Sequence, residues 1–220
     1  MSRLRISSWG NVKVNYQLDT LYRHTEQTAK RTRHRCTKEI NNAKEAFRVL
    51  SSHFNEVSKE TNKPEKNIKL SLITRFINHL LSYFLLIERG LILDAVNSSR
   101  SAVETTAFYW LVCVDKKSLH DYVNERSPRP VDVRKKLEEI GIDVSQLKER
   151  YSRESAVCHV GNPHDQLQIN WEKGNSGKLL VGGGGYDDLR RKMFLSIGNY
   201  VAAFLKHDTR YEVSGDPFSV

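Results

Sequence analysis

The chain has 220 residues, of which 39% are hydrophobic and 28% are charged, with 12 Gly and 5 Pro. This composition excludes a globally disordered chain and a collagenous or Pro-rich fibre, and the length is sufficient for one substantial domain. The 35 Lys and Arg outnumber the 26 Asp and Glu, and the resulting net charge of +9 favours polyanionic partners such as nucleic acids without requiring them.

The three cysteines lie far apart in the sequence, so they indicate neither a disulfide framework nor a zinc-binding cluster. The longest uncharged apolar stretch, from Phe76 to Ile87, is shorter than the roughly 20 residues of a membrane-spanning helix. Residues 1–14 lack the apolar segment of a secretory signal. We therefore expect a cytoplasmic protein with no membrane partner, no metal and no cofactor.

A long amphipathic helix is predicted from Tyr16 to Thr61, because no Gly or Pro interrupts the chain between Leu18 and Glu60. Apolar residues recur along its second half at spacings of three and four, as in the seam of an amphipathic or coiled helix: Ile40, Ala43, Phe47, Leu50, Phe54 and Val57. This seam presents more apolar surface than one helix can bury alone. We therefore treat residues 1–62 as a separate N-terminal segment and expect it to mediate a homodimer or a higher assembly.

Four basic residues share the middle of this helix and form what we term the basic stripe: Lys30, Arg31, Arg33 and Arg35. One interpretation is a solvated helix face, which is the commoner role of such a charge run. The other is a surface that contacts nucleic-acid phosphates, in keeping with the net charge of the chain. The sequence leaves both interpretations open, and these four side chains are the candidate nucleic-acid-binding residues.

Residues 63–210 are predicted to form a mostly helical domain, which a tail follows at 211–220. Its first helical pattern begins near Pro64 and continues through Gly90, with an apolar stretch at 107–114 that should lie in the core. The later elements are separated by turn residues. Three helices come first: one capped by Ser118, one at 131–140 closed by Gly141, and one opened by Asp143 that runs to His159. A small C-terminal β-hairpin of residues 166–172 and 178–181 and a final helix at 187–207 follow.

The candidate functional residues gather at and after the helix that ends at His159. Three of them recur every four residues and share one helix face: Tyr151, Ser155 and His159. Arg153 stands six residues before His159, and a turn beyond the helix contains Asn162 and His164. An arginine can hold phosphate oxygens and a histidine can transfer protons near neutral pH, so this group could transform a phosphodiester. A histidine on an apolar helix face can also be a hydrogen-bonded core residue.

The spacing of Arg153 and His159, with five residues between them near the end of a late helix, resembles the motif of the HEPN superfamily. The resemblance extends to an AbiV-like branch. In that branch an Arg-x-x-x-Glu helix, here Arg100 to Glu104, precedes a helix with a Tyr-x-x-x-Ser-x-x-x-His pattern, and a short hairpin and a final helix close the domain. The similarity spans Lys66 to His207 and leaves the N-terminal helix outside it.

The resemblance implies a helical bundle that often dimerises, so that two Arg/His motifs face one cleft. Active members are metal-independent endoribonucleases in which the ribose 2′-OH attacks the adjacent phosphorus. By this resemblance His159 would move the protons and Arg153 would stabilise the transition state. Glu154 stands where typical members carry a polar amide, so Arg100, with Glu104 one turn away, is the alternative cation.

Three functions are compatible with these residues. The first is a HEPN-like endoribonuclease effector of bacterial phage defence, of abortive-infection or toxin type, whose partners would be RNA and an antitoxin or another defence-system protein. The second is a non-catalytic HEPN-like interaction or scaffold protein, in which Arg100 and Glu104 form an internal ion pair and His159 has a structural role. The third is a helical nucleic-acid-binding protein that uses the basic stripe and performs no chemistry.

Overall fold

The computed structural model describes residues 18–60, 65–115, 117, 128–158, 169–172, 176–179 and 187–210. These residues are mostly helical, which confirms a mostly α fold. The helix predicted after Ser118 lies outside the described residues. The described elements follow in chain order: α1 (Leu18–Arg35), α2 (Thr37–Lys59), α3 (Glu65–Arg89), α4 (Ile92–Val114), α5 (Pro130–Glu139), α6 (Ser145–Cys158), the antiparallel strands β1 (Ile169–Glu172) and β2 (Ser176–Leu179), and α7 (Asp187–Leu205).

The predicted helix from Tyr16 to Thr61 is interrupted at Cys36, so the expectation of one unbroken helix is wrong. Cys36 leaves the helical region, with φ −116° and ψ 28°. The Thr37 hydroxyl donates hydrogen bonds to the carbonyl oxygens of Arg33 and His34, at 2.8 and 3.1 Å. A hydroxyl that bonds back to the preceding turn can bend a helix without any Gly or Pro. The kink therefore has a local cause that periodicity does not reveal.

Glycines in the left-handed conformation end two helices. Gly141, with a φ of 83°, closes α5 as the sequence predicts. Gly90, with a φ of 77°, ends α3, so the prediction of a helix that continues through this residue is wrong. The Gly90 N–H donates to Ile87 O at 3.0 Å, and the Leu91 N–H donates to Leu86 O at 2.8 Å. After this turn, α4 packs extensively against α3.

The apolar seam of α2 is buried inside the chain. Every seam residue is either buried or packed against the core: Ile40, Ala43, Phe47, Leu50, Phe54 and Val57. α2 packs against α3 and α7, and the Phe47 and Phe84 ring centroids meet edge to face at 6.2 Å. The seam is therefore covered within the chain and gives no support to a homodimer, which stays a prediction. α2 shares one hydrophobic core with α3, α4 and α7.

α4 supplies the most continuous part of that core. Residues 107–112 are all buried, whereas the predicted core stretch extends to Val114, which is 39% exposed. Phe204 of α7 stacks on both Phe76 and Tyr109, with ring centroids 4.0 and 4.1 Å apart. α3 is long and apolar enough to cross a membrane by length and composition alone, as core helices of soluble proteins also can be, and 33% of its most apolar segment is buried. α3 contacts α1, α2, α4 and α7, as a core helix does.

Candidate functional site

The candidate site lies where α6 packs against α4, on the side where α4 also contacts α5. α6 begins after Asp143, whose carboxylate accepts the Ser145 N–H at 2.9 Å and so satisfies a free donor of the first turn. The buried side chains of Val144 and Leu147 fix this end of α6 to the core. The next turns of α6 carry Tyr151 and the residues predicted to be functional.

Two arginines from different helices lie over the Tyr151 ring. The Arg100 guanidinium carbon, from α4, is 5.1 Å from the ring centroid, and the Arg134 guanidinium carbon, from α5, is 4.5 Å from it. Both distances fall within the range of a cation–π interaction. The arrangement concentrates two positive charges around one half-buried aromatic ring, which we term the Arg–Tyr–Arg cluster.

Arg134 is the member of this cluster that sequence reasoning missed. It is only 8% exposed, and its Nη1 donates to no acceptor in the part of the chain that the structure describes. A signal was present, because Arg134 lies beside Val133 and three residues before Leu137, which are both buried core positions of α5. An arginine on the apolar side of a short helix is unusual, since buried arginines are almost always paired.

The predicted Arg100–Glu104 pair is present in the structure. Arg100 Nε lies 3.7 Å from Glu104 Oε1, which is close enough for an ion pair but too long for a good hydrogen bond. Both side chains are partly buried. The N–H groups of Arg100 are therefore only weakly engaged by Glu104, and they remain able to bind a stronger acceptor.

Tyr151 and Ser155 lie one turn apart on α6, as predicted. The Ser155 Oγ is buried and has no hydrogen-bond partner among the described residues. His159, Asn162 and His164 lie outside the described residues, so their arrangement around this face remains a prediction. The described part of the site thus consists of two guanidinium groups, a phenol ring, a hydroxyl group and one carboxylate.

Arg153 lies apart from this cluster. Its side chain is 63% exposed, and its Nη2 pairs with Glu149 Oε1 at 2.5 Å. Arg153 follows Tyr151 by two residues, and positions two apart face different sides of a helix. The described contacts of Arg153 therefore place it in a surface ion pair, and they do not bring it together with Arg100.

Glu154 points into the protein interior. It is 4% exposed, it accepts a 2.7 Å hydrogen bond from Arg150 Nε, and the Tyr200 hydroxyl also donates to it. Burial raises the pKa of Glu154, and the positive charge of Arg150 opposes that rise. The carboxylate is thus committed to a buried polar contact between α6 and α7. The Glu154 carboxylate therefore faces the interior, whereas Arg153 lies at the surface.

The basic stripe divides into two pairs of residues. Arg33 forms a bidentate ion pair with Glu88, at 2.7 and 2.8 Å, and Arg35 pairs with Asp187 at 2.5 Å. The hydrogen bond and charge of Glu88 raise the pKa of Arg33. These pairs join α1 to α3 and to α7. Lys30 and Arg31 are exposed, and the hydrogen bond from Arg31 to Thr28, at 3.3 Å, stays within α1.

Replacing Lys30 and Arg31 together by Gln is expected to weaken the salt dependence of RNA binding if the stripe contacts phosphates. Loss of two phosphate contacts should reduce the slope of log K against log salt by about 1.4 for single-stranded RNA. The free energy of unfolding should stay within about 0.5 kcal/mol of the wild-type value, because both side chains are exposed.

The matched control replaces Arg33 and Arg35 by Gln. This variant should lose about 1–3 kcal/mol of stability, because it leaves the buried carboxylate of Glu88 without its bidentate partner. Titrations of a single-stranded RNA at several salt concentrations, with urea unfolding in parallel, measure both quantities. An unchanged slope for the Lys30 and Arg31 variant would assign the stripe to solvation and to helix pairing.

A second buried polar cluster joins α2, α4 and the chain after α7. Tyr109 donates its hydroxyl proton to Asp208 Oδ2 at 2.6 Å, and His53 Nε2 lies 2.7 Å from the same hydroxyl oxygen. Because Tyr109 has one proton to give, His53 donates to Tyr109 through Nε2–H. Arg210 binds both carboxylate oxygens of Asp208, at 2.7 and 2.6 Å, and it also pairs with Glu60 at 3.0 Å. This cluster fastens the chain end of α7 to the middle of the bundle.

The stability of the protein is expected to fall as the pH decreases from 6.5 to about 4. Burial lowers the pKa of His53 to about 4, so the folded protein keeps His53 neutral where the unfolded chain binds a proton. Protonation of the unfolded chain therefore lowers the free energy of unfolding as the pH falls through this range. The loss over the full range is about 3 kcal/mol. Burial also lowers the pKa of His79 and His207, which acts in the same direction.

Urea unfolding at about pH 7 and about pH 4.5 measures this loss. His53→Gln should flatten most of the dependence in that window. Below about pH 4 a further loss is expected, because hydrogen bonds from Arg210 and Tyr109 hold the pKa of Asp208 below its usual range despite burial. Equal pH dependence in the wild type and in His53→Gln would contradict the assignment to His53.

Comparison of the chain with protein-family models, with curated proteins and with solved structures finds no match. Within the described ranges, no group of three or more His, Cys, Asp and Glu side chains is placed to hold a metal ion. The interpretation of the site accordingly depends on its own residues and on their geometry.

Proposed function

We propose that the chain is a HEPN-like, metal-independent endoribonuclease effector of bacterial phage defence, of abortive-infection or toxin type. The observation that carries this proposal is the Arg–Tyr–Arg cluster, whose Tyr151 stands eight residues before His159 in the sequence. Guanidinium groups can hold phosphate oxygens and a histidine can transfer protons, and these two abilities together suit phosphodiester cleavage. The proposal includes a cytoplasmic location, a homodimer, and an antitoxin or another defence-system protein as partner.

In the proposed reaction the ribose 2′-oxygen attacks the adjacent phosphorus, and the 5′-oxygen of the next nucleotide leaves. His159 accepts the 2′-OH proton while solvent water protonates the leaving 5′-oxygen, or it donates that proton while solvent water accepts the one from the 2′-OH. Arg100 stabilises the negative charge on the non-bridging oxygens. We assign this role to Arg100 and not to Arg153, because Arg153 is engaged with Glu149 at the surface while Arg100 lies on Tyr151.

The test is cleavage of RNA by the purified chain in excess EDTA. The 5′ fragment is expected to end in a 2′,3′-cyclic phosphate, because the nucleophile belongs to the ribose. A substrate with 2′-deoxyribose at the scissile position should resist cleavage. Arg100→Gln is expected to lower the rate by at least about 10²-fold, since it removes a charge that stabilises the transition state.

Arg153→Gln tests the alternative assignment in the same assay, and the more damaging of the two substitutions identifies the arginine that acts on the phosphate. Arg48→Gln is the matched control, because Arg48 is exposed and, among the described residues, pairs with Glu45 on its own helix. Cleavage that disappears in EDTA and returns with a divalent metal would contradict the proposed mechanism.

A non-catalytic HEPN-like interaction protein is the second candidate function. Two observations favour it: Arg153 is engaged in an exposed ion pair, and Glu154 is committed to the contact with Tyr200. The motif positions around His159 would then serve the packing of α6. If no RNA is cleaved with or without a partner protein, and His159→Ala changes only the melting temperature, this function replaces the first.

A further inference from the structure

The guanidinium group of Arg134 is buried without a counter-ion in the described part of the chain. It is 8% exposed, its Nη1 has no acceptor, and its one described close partner is the face of the Tyr151 ring. A ring face attracts the cation but accepts none of the in-plane N–H groups, so the buried Nη1 is left without an acceptor among the described residues. Buried charges in proteins are ordinarily paired and hydrogen-bonded, so the environment of Arg134 is incomplete as it stands.

The charged groups described around Arg134 carry a net positive charge. Arg100 lies over the same ring, and the carboxylate nearest to it in the described contacts is Glu104, at 3.7 Å. Two guanidinium groups against one carboxylate leave a net positive charge. Ser155, one turn beyond Tyr151 on the same face of α6, adds a buried hydroxyl that has no partner among the described residues. Several unused donors therefore surround one aromatic ring.

We propose that Arg134 and Arg100 form a two-arginine clamp that binds a phosphate group beside Tyr151, with the Ser155 hydroxyl as a third donor. A tetrahedral oxyanion suits donors supplied by three helices, α4, α5 and α6, since it offers acceptors in several directions, whereas a carboxylate offers two oxygens in one plane. The proposal rests on the proposed function in one respect, because that function is the reason for identifying the phosphate as part of an RNA strand. Arg134 is then the specificity-determining residue that holds the strand while Arg100 acts at the scissile group.

The first experiment measures thermal unfolding with inorganic phosphate and with chloride at equal ionic strength. Phosphate should raise the melting temperature of the wild type, because a ligand that binds only the folded state stabilises it. Arg134→Met should melt no lower than the wild type in chloride, because it removes a buried charge without a counter-ion, and it should not respond to phosphate. Arg48→Met, the exposed control, should respond to phosphate as the wild type does.

A second variant keeps the proposal testable if Arg134→Met fails to fold. Arg134→Lys retains the positive charge and most of the apolar stem but lacks the planar fork. Its affinity for inorganic phosphate, measured by calorimetry, should fall by at least about tenfold, as expected when a bidentate contact is lost. Equal phosphate affinities for the wild type, Arg134→Lys and Arg100→Gln would overturn the clamp.

The final experiment separates free phosphate from an RNA phosphodiester. A 2′-O-methyl oligonucleotide, which cannot be cleaved by its own 2′-oxygen, should displace inorganic phosphate from the wild type. Failure to displace it would overturn the assignment to RNA. If phosphate binds through Arg134 but no RNA is ever cleaved, the proposed function fails and the clamp stands. If RNA is cleaved and Arg134→Lys leaves both KM and kcat unchanged, the clamp fails and the proposed function stands.

Discussion

His159→Ala is expected to lower the rate of RNA cleavage by about 10²–10⁴-fold, which is the usual contribution of one general acid–base group. The proposed reaction needs a proton removed from the 2′-OH and a proton delivered to the 5′-oxygen, and an alanine can do neither. Binding of the 2′-O-methyl oligonucleotide should be preserved within about threefold, because the phosphate contacts of Arg100 and Arg134 do not involve this side chain. Single-turnover kinetics in EDTA measures the rate directly.

His24→Ala is a suitable control, because His24 is an exposed histidine of α1 that lies far in the sequence from α6. It should leave the cleavage rate unchanged. Added imidazole should partly restore the rate of His159→Ala, which is a readout that a purely structural role would not give. A rate within twofold of wild type, or a loss of rate that follows a loss of folded protein, would contradict the assignment of His159.

Asp208→Ala is expected to cost about 3–5 kcal/mol of folding free energy, which is the largest stability effect we predict for a single side chain. Asp208 accepts the hydroxyl proton of buried Tyr109 and both arms of Arg210, and His53 donates to the same Tyr109 hydroxyl. Its removal leaves Tyr109 without an acceptor in a site that water does not reach, and it deprives Arg210 of its nearest carboxylate.

The loss should be measured by urea unfolding at neutral pH, with Asp208→Asn and Glu45→Ala alongside. Asp208→Asn keeps one carbonyl acceptor, so it should lose less than Asp208→Ala. Glu45 pairs with Arg48 on an exposed face of α2, and such pairs contribute at most about 1 kcal/mol. A loss for Asp208→Ala no larger than that of Glu45→Ala would show that the buried cluster contributes little to stability.

The sequence was sufficient to predict the elements whose cause is local or periodic. Gly141 ends α5 because a left-handed residue closes a helix end, and residues 107–112 are buried because no polar residue interrupts them. The i,i+4 spacing of Arg100 and Glu104 also led directly to an observed contact. In each case, neighbours within four residues determine the outcome.

The predictions that failed depend on contacts between distant segments or on side-chain hydrogen bonds. The premise that α2 cannot bury its seam within the chain failed because α7, which covers the seam, lies far later in the sequence. The homodimer itself stays a prediction. The burial of Glu154 could not be predicted, because its partner, Tyr200, lies on another helix. Arg134 was overlooked because an arginine is ordinarily exposed, and only the packing of α5 against α4 reveals its burial.

The long separations between paired residues determine when this protein can fold during synthesis. Arg35 and Asp187 are 152 residues apart, and Glu60 and Arg210 are 150 residues apart. At ribosomal elongation rates, roughly 8–30 s pass between the synthesis of α2 and that of α7, which covers the apolar face of α2. Contacts of such high sequence separation form late and slow the folding of a chain. The nascent chain is therefore exposed to aggregation throughout this interval, and we expect a holding chaperone to raise the yield of soluble protein.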